Sequence, residues 1–132
     1  QLEYSLKYIK KILKKLSEDP VTSKTPTIVF ARDPKCNLNE FKLDDLSCYG
    51  MFTSINPNNA ISVFEGSHAL QGNLDPKILL EEDSVIKESV SRILSDFKDY
   101  PGYIFNLGHG ITPDINPDKV KVLVEAIRES ES

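Results

Sequence analysis

Residues 102–110 read GYIFNLGHG, an apolar run followed by a turn in which a histidine stands between two glycines. The run at 103–107 has the length and composition of a strand. Asn116 and Pro117 follow; Asn caps a helix start, and Pro at the next position has no amide hydrogen to leave unpaired. The sequence therefore predicts a strand, a loop and a helix at 117–129. The apolar residues of that helix share one face: Val120, Leu123, Val124 and Ile127.

The same order recurs upstream. Three further apolar runs of strand length lie at 27–31, 48–53 and 68–72. A helix-compatible stretch follows each of them, and the predicted helices are 38–46, 58–64 and 84–97. The pair Asn56-Pro57 predicts a helix start in the same way as Asn116-Pro117. The run at 27–31 is nearly continuous and predicts a strand buried on both faces, as parallel strands are. An amphipathic helix that stops before Pro20 precedes it, with Leu2, Leu6, Ile9, Leu13 and Leu16 on its apolar face.

Alternating strands and helices indicate an α/β fold with parallel strands, joined by right-handed crossovers, and with ligands at the carboxyl ends of the strands. About four βα units fit into 132 residues, whereas a closed eight-fold barrel needs about 250. We therefore expect half of a TIM (β/α)8 barrel. An open half would expose sheet edges and an apolar face, so the missing half must be supplied. A small open α/β domain is the alternative.

Composition argues against several classes of protein. The net charge is −4 and the lysines are spread along helices, which is unlike a nucleic-acid-binding surface. No apolar run approaches the roughly 20 residues of a membrane-spanning helix. Cys36 and Cys48 lack a CxxC or paired-histidine pattern, so we expect free thiols and no metal site.

Two segments carry a resemblance to a known family. Residues 68–76 read HALQGNLDP and residues 102–110 read GYIFNLGHG; both resemble signatures of the uroporphyrinogen decarboxylases, and IVFARD at 28–33 is similar to an earlier strand of that family. The likeness runs from about residue 27 to residue 128. It implies that residues 1–132 are the C-terminal portion of a single uroporphyrinogen decarboxylase barrel domain.

The resemblance also implies an activity. These carboxy-lyases remove the carboxyl groups of the four acetate side chains of uroporphyrinogen III, giving coproporphyrinogen III in haem biosynthesis, without metal or organic cofactor. It implies a porphyrinogen substrate, the remaining N-terminal half of the barrel as partner, a homodimer of the full-length protein, and a cytoplasmic or plastid location. We expect this chain to be inactive alone.

His109 and Arg32 are the candidate site residues. His109 follows the last predicted strand, at the catalytic end of a barrel, and its imidazole could bind a substrate carboxylate when protonated or hydrogen-bond to it when neutral. It is the predicted catalytic and substrate-binding residue; the alternative is a histidine that satisfies loop carbonyls. Arg32 ends its strand and could hold an anionic substrate, or pair structurally with Asp33 or Asp45.

Other polar residues are interpreted as structural. His68 opens a strand, the end remote from chemistry. Asn73 and Asp75 are expected to shape the loop after their strand, since such side chains bond nearby backbone. The side chains of Phe30 and Phe105 are expected to fill the interior of the barrel.

One departure from the family keeps other functions open. Phe52 stands where the family commonly has an aspartate, so a non-catalytic binding or scaffolding domain derived from the barrel is an alternative function. The related cobalamin methyltransferases hold zinc through an HxC pair and a later Cys. Neither His68 nor His109 begins such a pair.

Overall fold

The computed structural model describes residues 2–32, 35 and 37–131. Asp33, Pro34, Cys36 and the side chain of Leu2 lie outside that description, together with the predictions that concern them. In chain order the elements are α1 (Leu2–Glu18), β1 (Ile28–Phe30), a 3-10 helix (Leu38–Phe41), β2 (Cys48–Gly50), α2 (Pro57–Phe64), β3 (Ala69–Gln71), a second 3-10 helix (Pro76–Leu80), α3 (Asp83–Asp96), β4 (Tyr103–Ile104) and α4 (Pro117–Ser130).

The four strands form one parallel sheet in the order β1-β2-β3-β4. Each strand therefore lies beside its neighbour in sequence, with no reversal of direction across the sheet. An open doubly wound sheet reverses at a switch point, whereas a barrel adds its strands in sequence. The predicted fold class is confirmed: this is the arrangement of half of a (β/α)8 barrel.

The helix-facing side of the sheet holds the core. Tyr49 and Leu70 lie in register with each other and are fully buried. The ring of Tyr49 lies between those of Phe41 and Phe64, with centroid distances of 4.9 and 5.4 Å. Further fully buried side chains complete this layer: Met51, Leu79, Ile86 and Val90. Burial of this apolar surface is the main force that holds helices and sheet together.

The opposite face of the sheet is open. Ile28 and Phe30 of β1 are 53% and 49% exposed, and Ile104 of β4 is 44% exposed. The prediction that β1 is buried on both faces is therefore wrong for the chain as described. A parallel strand is buried on both faces only when both faces of its sheet are covered, and here helices cover one of them.

The helix starts that Asn-Pro pairs predicted are confirmed. The side chain of Asn56 accepts a hydrogen bond from the Asn59 amide at 3.2 Å, and that of Asn116 accepts one from the Asp118 amide at 2.9 Å. Each of these hydrogen bonds satisfies a backbone N–H that has no carbonyl partner within the first turn of its helix.

The predicted helix at 38–46 is wrong, because only Leu38–Phe41 is helical and it is a 3-10 turn. Apolar residues at 38, 41, 43 and 46 do not keep the three-and-four spacing of an α-helix. A second 3-10 helix, Pro76–Leu80, was not predicted. Asp75 caps it by accepting a hydrogen bond from the Lys77 amide at 3.0 Å.

Across the described ranges, the helices are all too short or too polar to cross a lipid bilayer.

Candidate functional site

The loops that leave the carboxyl ends of β2, β3 and β4 are joined by backbone hydrogen bonds. The Gly72 amide donates to Ile104, and the Leu74 amide donates to Asn106, at 3.1 and 3.2 Å. The Gly108 amide then donates back to the Leu74 carbonyl at 2.8 Å. The pairing of β3 with β4 therefore continues past the strands, and it carries the loop that bears His109 to the edge where a barrel places its ligands.

The side chain of Asn73 links the loop after β3 to the loop after β2. Its buried side-chain amide donates to the carbonyls of Phe52 and Ile55, at 2.9 and 2.6 Å. The predicted structural role is confirmed, although the bonds reach another loop and do not stay within its own. A buried amide with both donors used holds two loops in a fixed relation.

His109 has one ring nitrogen engaged. Its Nδ1 lies 2.9 Å from the Gly110 carbonyl oxygen, which can only accept, so the proton of the neutral ring is on Nδ1. Nε2 then carries the lone pair, and it is the atom able to accept a proton or a hydrogen bond. The ring is half-buried, with partial access to solvent.

Three aromatic rings follow one another at this edge of the sheet. The Phe52 ring lies 5.7 Å from the His109 ring, with 31° between their planes, and 6.3 Å from the ring of Phe30. These are contact distances for attractive aromatic pairs. Phe30 extends the row onto the open face, so that the imidazole borders an apolar surface.

Arg32 is not brought into this cluster. Its side chain is exposed, and no contact within the described ranges joins it to His109 or pairs it with Asp45. Asp33, its other predicted ion-pair partner, lies outside the described residues. The role of Arg32 in binding substrate stays a prediction.

His68 is structural, as predicted. Its Nδ1 lies 2.7 Å from the Ser67 hydroxyl and its Nε2 lies 2.7 Å from the Leu43 carbonyl, so both nitrogens are used locally. Because a carbonyl only accepts, Nε2 carries the proton and Nδ1 accepts from Ser67. The residue precedes β3, at the end of the sheet opposite to His109.

A cavity of about 300 Å³ lies elsewhere, between the loops after β2 and β3 and helix α3. Thr53, Asn73 and Ile93 contribute to its walls, and Arg92 and Asp96 stand among the polar residues that line it. His109 is not among the residues that line this cavity.

Among the described residues, no cluster of three or more histidine, cysteine or acidic side chains is arranged to hold a metal ion. Cys48 is buried, and burial raises the pKa of its thiol. A thiol held protonated in this way is a poor ligand and a poor nucleophile.

Position 108 has no room for a side chain, whereas position 110 does. A Cβ on Gly108 would lie 2.6 Å from both the Cα and the backbone nitrogen of Thr53, but one on Gly110 would have no neighbour within 4 Å. We expect Gly108→Ala to push the His109 loop away from Thr53 and to lower the free energy of unfolding by about 1–3 kcal/mol, as overpacking does. Gly110→Ala is the matched control. Urea titration of both variants tests this, and equal midpoints would contradict it.

Tyr103 links β4 to the loop after β3, since its hydroxyl donates to the Gly72 carbonyl. Burial, and to a lesser extent the negative charge of Asp96, raise the pKa of Tyr103 far above its usual value. The folded state therefore keeps this proton when the unfolded state has lost it. The stability that this provides is complete below about pH 10 and declines as pH rises beyond it.

We expect the free energy of unfolding to fall more steeply between pH 9 and pH 11 in the native protein than in Tyr103→Phe, because phenylalanine has no proton to lose. Urea unfolding followed by circular dichroism at a series of pH values measures both slopes. Parallel slopes would show that Tyr103 does not contribute.

The contact between Phe52 and His109 was missed by sequence reasoning, which treated Phe52 only as a departure from a family pattern. The positions of the two residues could have predicted the contact, because both follow strands whose carboxyl ends share one edge of a parallel sheet. Phe30, interpreted as barrel filling, is half-exposed and joins the same row of rings.

Comparison with known proteins gives a consistent picture. The family model described as uroporphyrinogen decarboxylase (URO-D) matches residues 2–130. A uroporphyrinogen decarboxylase of Alcanivorax borkumensis is 39% identical over 127 residues, which are 96% of this chain and 36% of that protein. One of Hahella chejuensis is 36% identical over 128 residues, 97% of this chain and 36% of the relative. This chain thus spans little more than a third of the length of these relatives.

Among solved structures, a methyltransferase from Methanosarcina mazei is similar, with a TM-score of 0.68. The similarity covers 97% of this chain and 38% of that one, at 18% sequence identity. At this level of identity the likeness shows the fold alone.

Proposed function

Because the chain belongs to the uroporphyrinogen decarboxylase family, we propose that residues 1–132 are the C-terminal portion of a single (β/α)8 barrel domain. The sequential order of the four parallel strands supports this proposal. So does the open face of the sheet, where Ile28, Phe30 and Ile104 remain between 44% and 53% exposed. In a closed barrel the strands of the other half face such residues, and the barrel interior is then filled by side chains.

The proposed function of the complete protein is the removal of the carboxyl groups from the four acetate side chains of uroporphyrinogen III. The product is coproporphyrinogen III. The observation that carries this proposal is the placement of His109 at the carboxyl ends of the strands. Its Nε2 has no hydrogen-bond partner among the described residues, and its ring borders the apolar row of Phe52 and Phe30. A tetrapyrrole with acidic arms needs such a combination of apolar surface and a group that can carry positive charge.

The chemistry requires that a carbon attached to a pyrrole ring lose CO2. Protonation of the ring lets it accept the electron pair of the breaking C–C bond, which leaves a methylene group on the ring. A proton then adds to that carbon to give a methyl group, and the ring loses the proton that it gained in the first step. His109 can hold the carboxylate of the reacting arm when it is protonated, or transfer a proton through Nε2. Positioning and proton transfer suffice for this sequence of steps, so no cofactor is proposed.

Arg32 is proposed to hold another acidic arm of the substrate. Its exposed guanidinium follows β1 at the same edge of the sheet as His109, and guanidinium groups bind carboxylates through two hydrogen bonds. The remaining half of the barrel would supply the groups that this chain lacks, and a homodimer of complete barrels is the proposed assembly.

The test is an assay of the complete protein with uroporphyrinogen III, in which mass spectrometry follows the loss of four carboxyl groups. The 132-residue chain, assayed in parallel, should release no CO2. We expect the same rate with and without a metal chelator. Binding of the porphyrinogen without any loss of carboxyl groups would instead support a non-catalytic binding domain derived from the barrel.

A further inference from the structure

Phe52 is the residue through which the loop after β2 contacts the imidazole of His109. Their ring centroids are 5.7 Å apart, within the range of attractive aromatic pairs. The ion pairs within the described part of the chain include none between His109 and a carboxylate. The imidazole is thus oriented by the Gly110 carbonyl on Nδ1 and by a hydrocarbon ring.

Phe52 is itself held from several sides. Its carbonyl accepts hydrogen bonds from the Asn73 side chain and from the Ile55 amide, both at 2.9 Å. Its ring also meets that of Phe30, at 6.3 Å. The hydrogen bonds hold the backbone of Phe52 in place and Phe30 contacts its ring, so the phenyl ring can restrict the orientation of the neighbouring imidazole.

The loop that bears His109 packs closely against the segment of Phe52. Gly108 packs against the backbone of Thr53, the residue after Phe52, whereas a Cβ on Gly110 would meet nothing within 4 Å. Contact with the segment of Phe52 and Thr53 therefore restrains this loop, in addition to the hydrogen bond from the Gly108 amide to the Leu74 carbonyl.

We infer that Phe52 is a positioning residue for His109: it holds the imidazole with Nδ1 on the Gly110 carbonyl and leaves Nε2 free for an acidic group of the ligand. A phenyl ring orients the imidazole without adding negative charge. The catalytic part of this inference rests on the proposed function, whereas the contact itself does not.

Side-chain NMR of the complete protein tests the contact, since His109 can be assigned through His109→Gln. In Phe52→Leu we expect the His109 ring protons to lose the ring-current shift and to move toward the values of an unstructured peptide. Phe30→Leu is the matched control, because Phe30 contacts Phe52 and not His109. The His68 signals should stay unchanged in both variants and so report intact folding. Equal effects of the two substitutions, or none from Phe52→Leu, would overturn the inference.

Replacement by a similar ring separates orientation from general packing. In the assay, Phe52→Leu should lower kcat/KM about tenfold through misplacement of the imidazole, and Phe52→Tyr should retain most of the activity. A loss in Phe52→Tyr as large as that in Phe52→Leu would contradict the positioning role.

The two proposals can fail separately. If the His109 signals move as expected but the complete protein releases no CO2, the positioning role stands and the decarboxylase function fails. If the protein is active but Phe52→Leu leaves the His109 signals and kcat/KM unchanged, the positioning role fails alone.

Discussion

Replacement of His109 by glutamine is expected to lower kcat/KM of the complete protein for uroporphyrinogen by about 100-fold or more, the usual contribution of a positioned acid–base group. Glutamine can still form a hydrogen bond near the position of Nε2, but it cannot carry a proton or a positive charge at neutral pH. Steady-state rates of coproporphyrinogen formation measure the effect.

The control for this variant is stability, because loss of activity through unfolding would look the same. His109 is half-buried, and within the described part of the chain its ring hydrogen-bonds only to the carbonyl of the next residue, so His109→Gln should leave the urea midpoint nearly unchanged. Activity within a few-fold of the native rate would instead assign His109 the alternative role of satisfying a loop carbonyl.

Phe64→Ala is expected to have the largest effect on stability, a loss of about 3–5 kcal/mol. The Phe64 ring is fully buried and stacks on Tyr49 at 5.4 Å, so removing it leaves a cavity between α2 and the sheet. Urea unfolding followed by circular dichroism gives the value. If this variant does not fold, Phe64→Leu should still show a smaller loss, of about 1 kcal/mol.

The matched control is Phe30→Ala, which removes the same ring from the open face. Phe30 is 49% exposed in the 132-residue chain, so when both variants are made in that chain its loss should cost a fraction of the effect at Phe64. Similar values for the two substitutions would mean that the open face is covered in solution and that Phe30 is as deeply buried there as Phe64.

The order of elements could be predicted from the sequence because each signal was local. Apolar runs marked the strands, and the hydrogen-bonding caps of Asn56 and Asn116 marked the starts of α2 and α4. These features depend on residues within a few positions of one another. The 3-10 turn at Leu38–Phe41 was mistaken for part of a longer helix, because Leu38, Phe41 and Leu46 reach the core from an irregular segment.

The candidate site could be predicted only in part. The position of His109 after a strand, between two glycines, was visible in the sequence. The bonds from Asn73 to Phe52 and Ile55, and the contact of Phe52 with His109, join loops that are distant in sequence. Such contacts depend on the register between strands, which local patterns do not determine. The close packing of Gly108 against Thr53 could not be predicted from the sequence for the same reason.

The most direct test of the proposed site is a structure of the complete protein with coproporphyrinogen bound. We predict that the tetrapyrrole lies at the carboxyl ends of the strands of a closed barrel, against Phe52 and Phe30, with Nε2 of His109 about 3 Å from one of its carboxylates. A tetrapyrrole bound elsewhere, with the imidazole of His109 turned away from it, would contradict both the half-barrel and the role of His109.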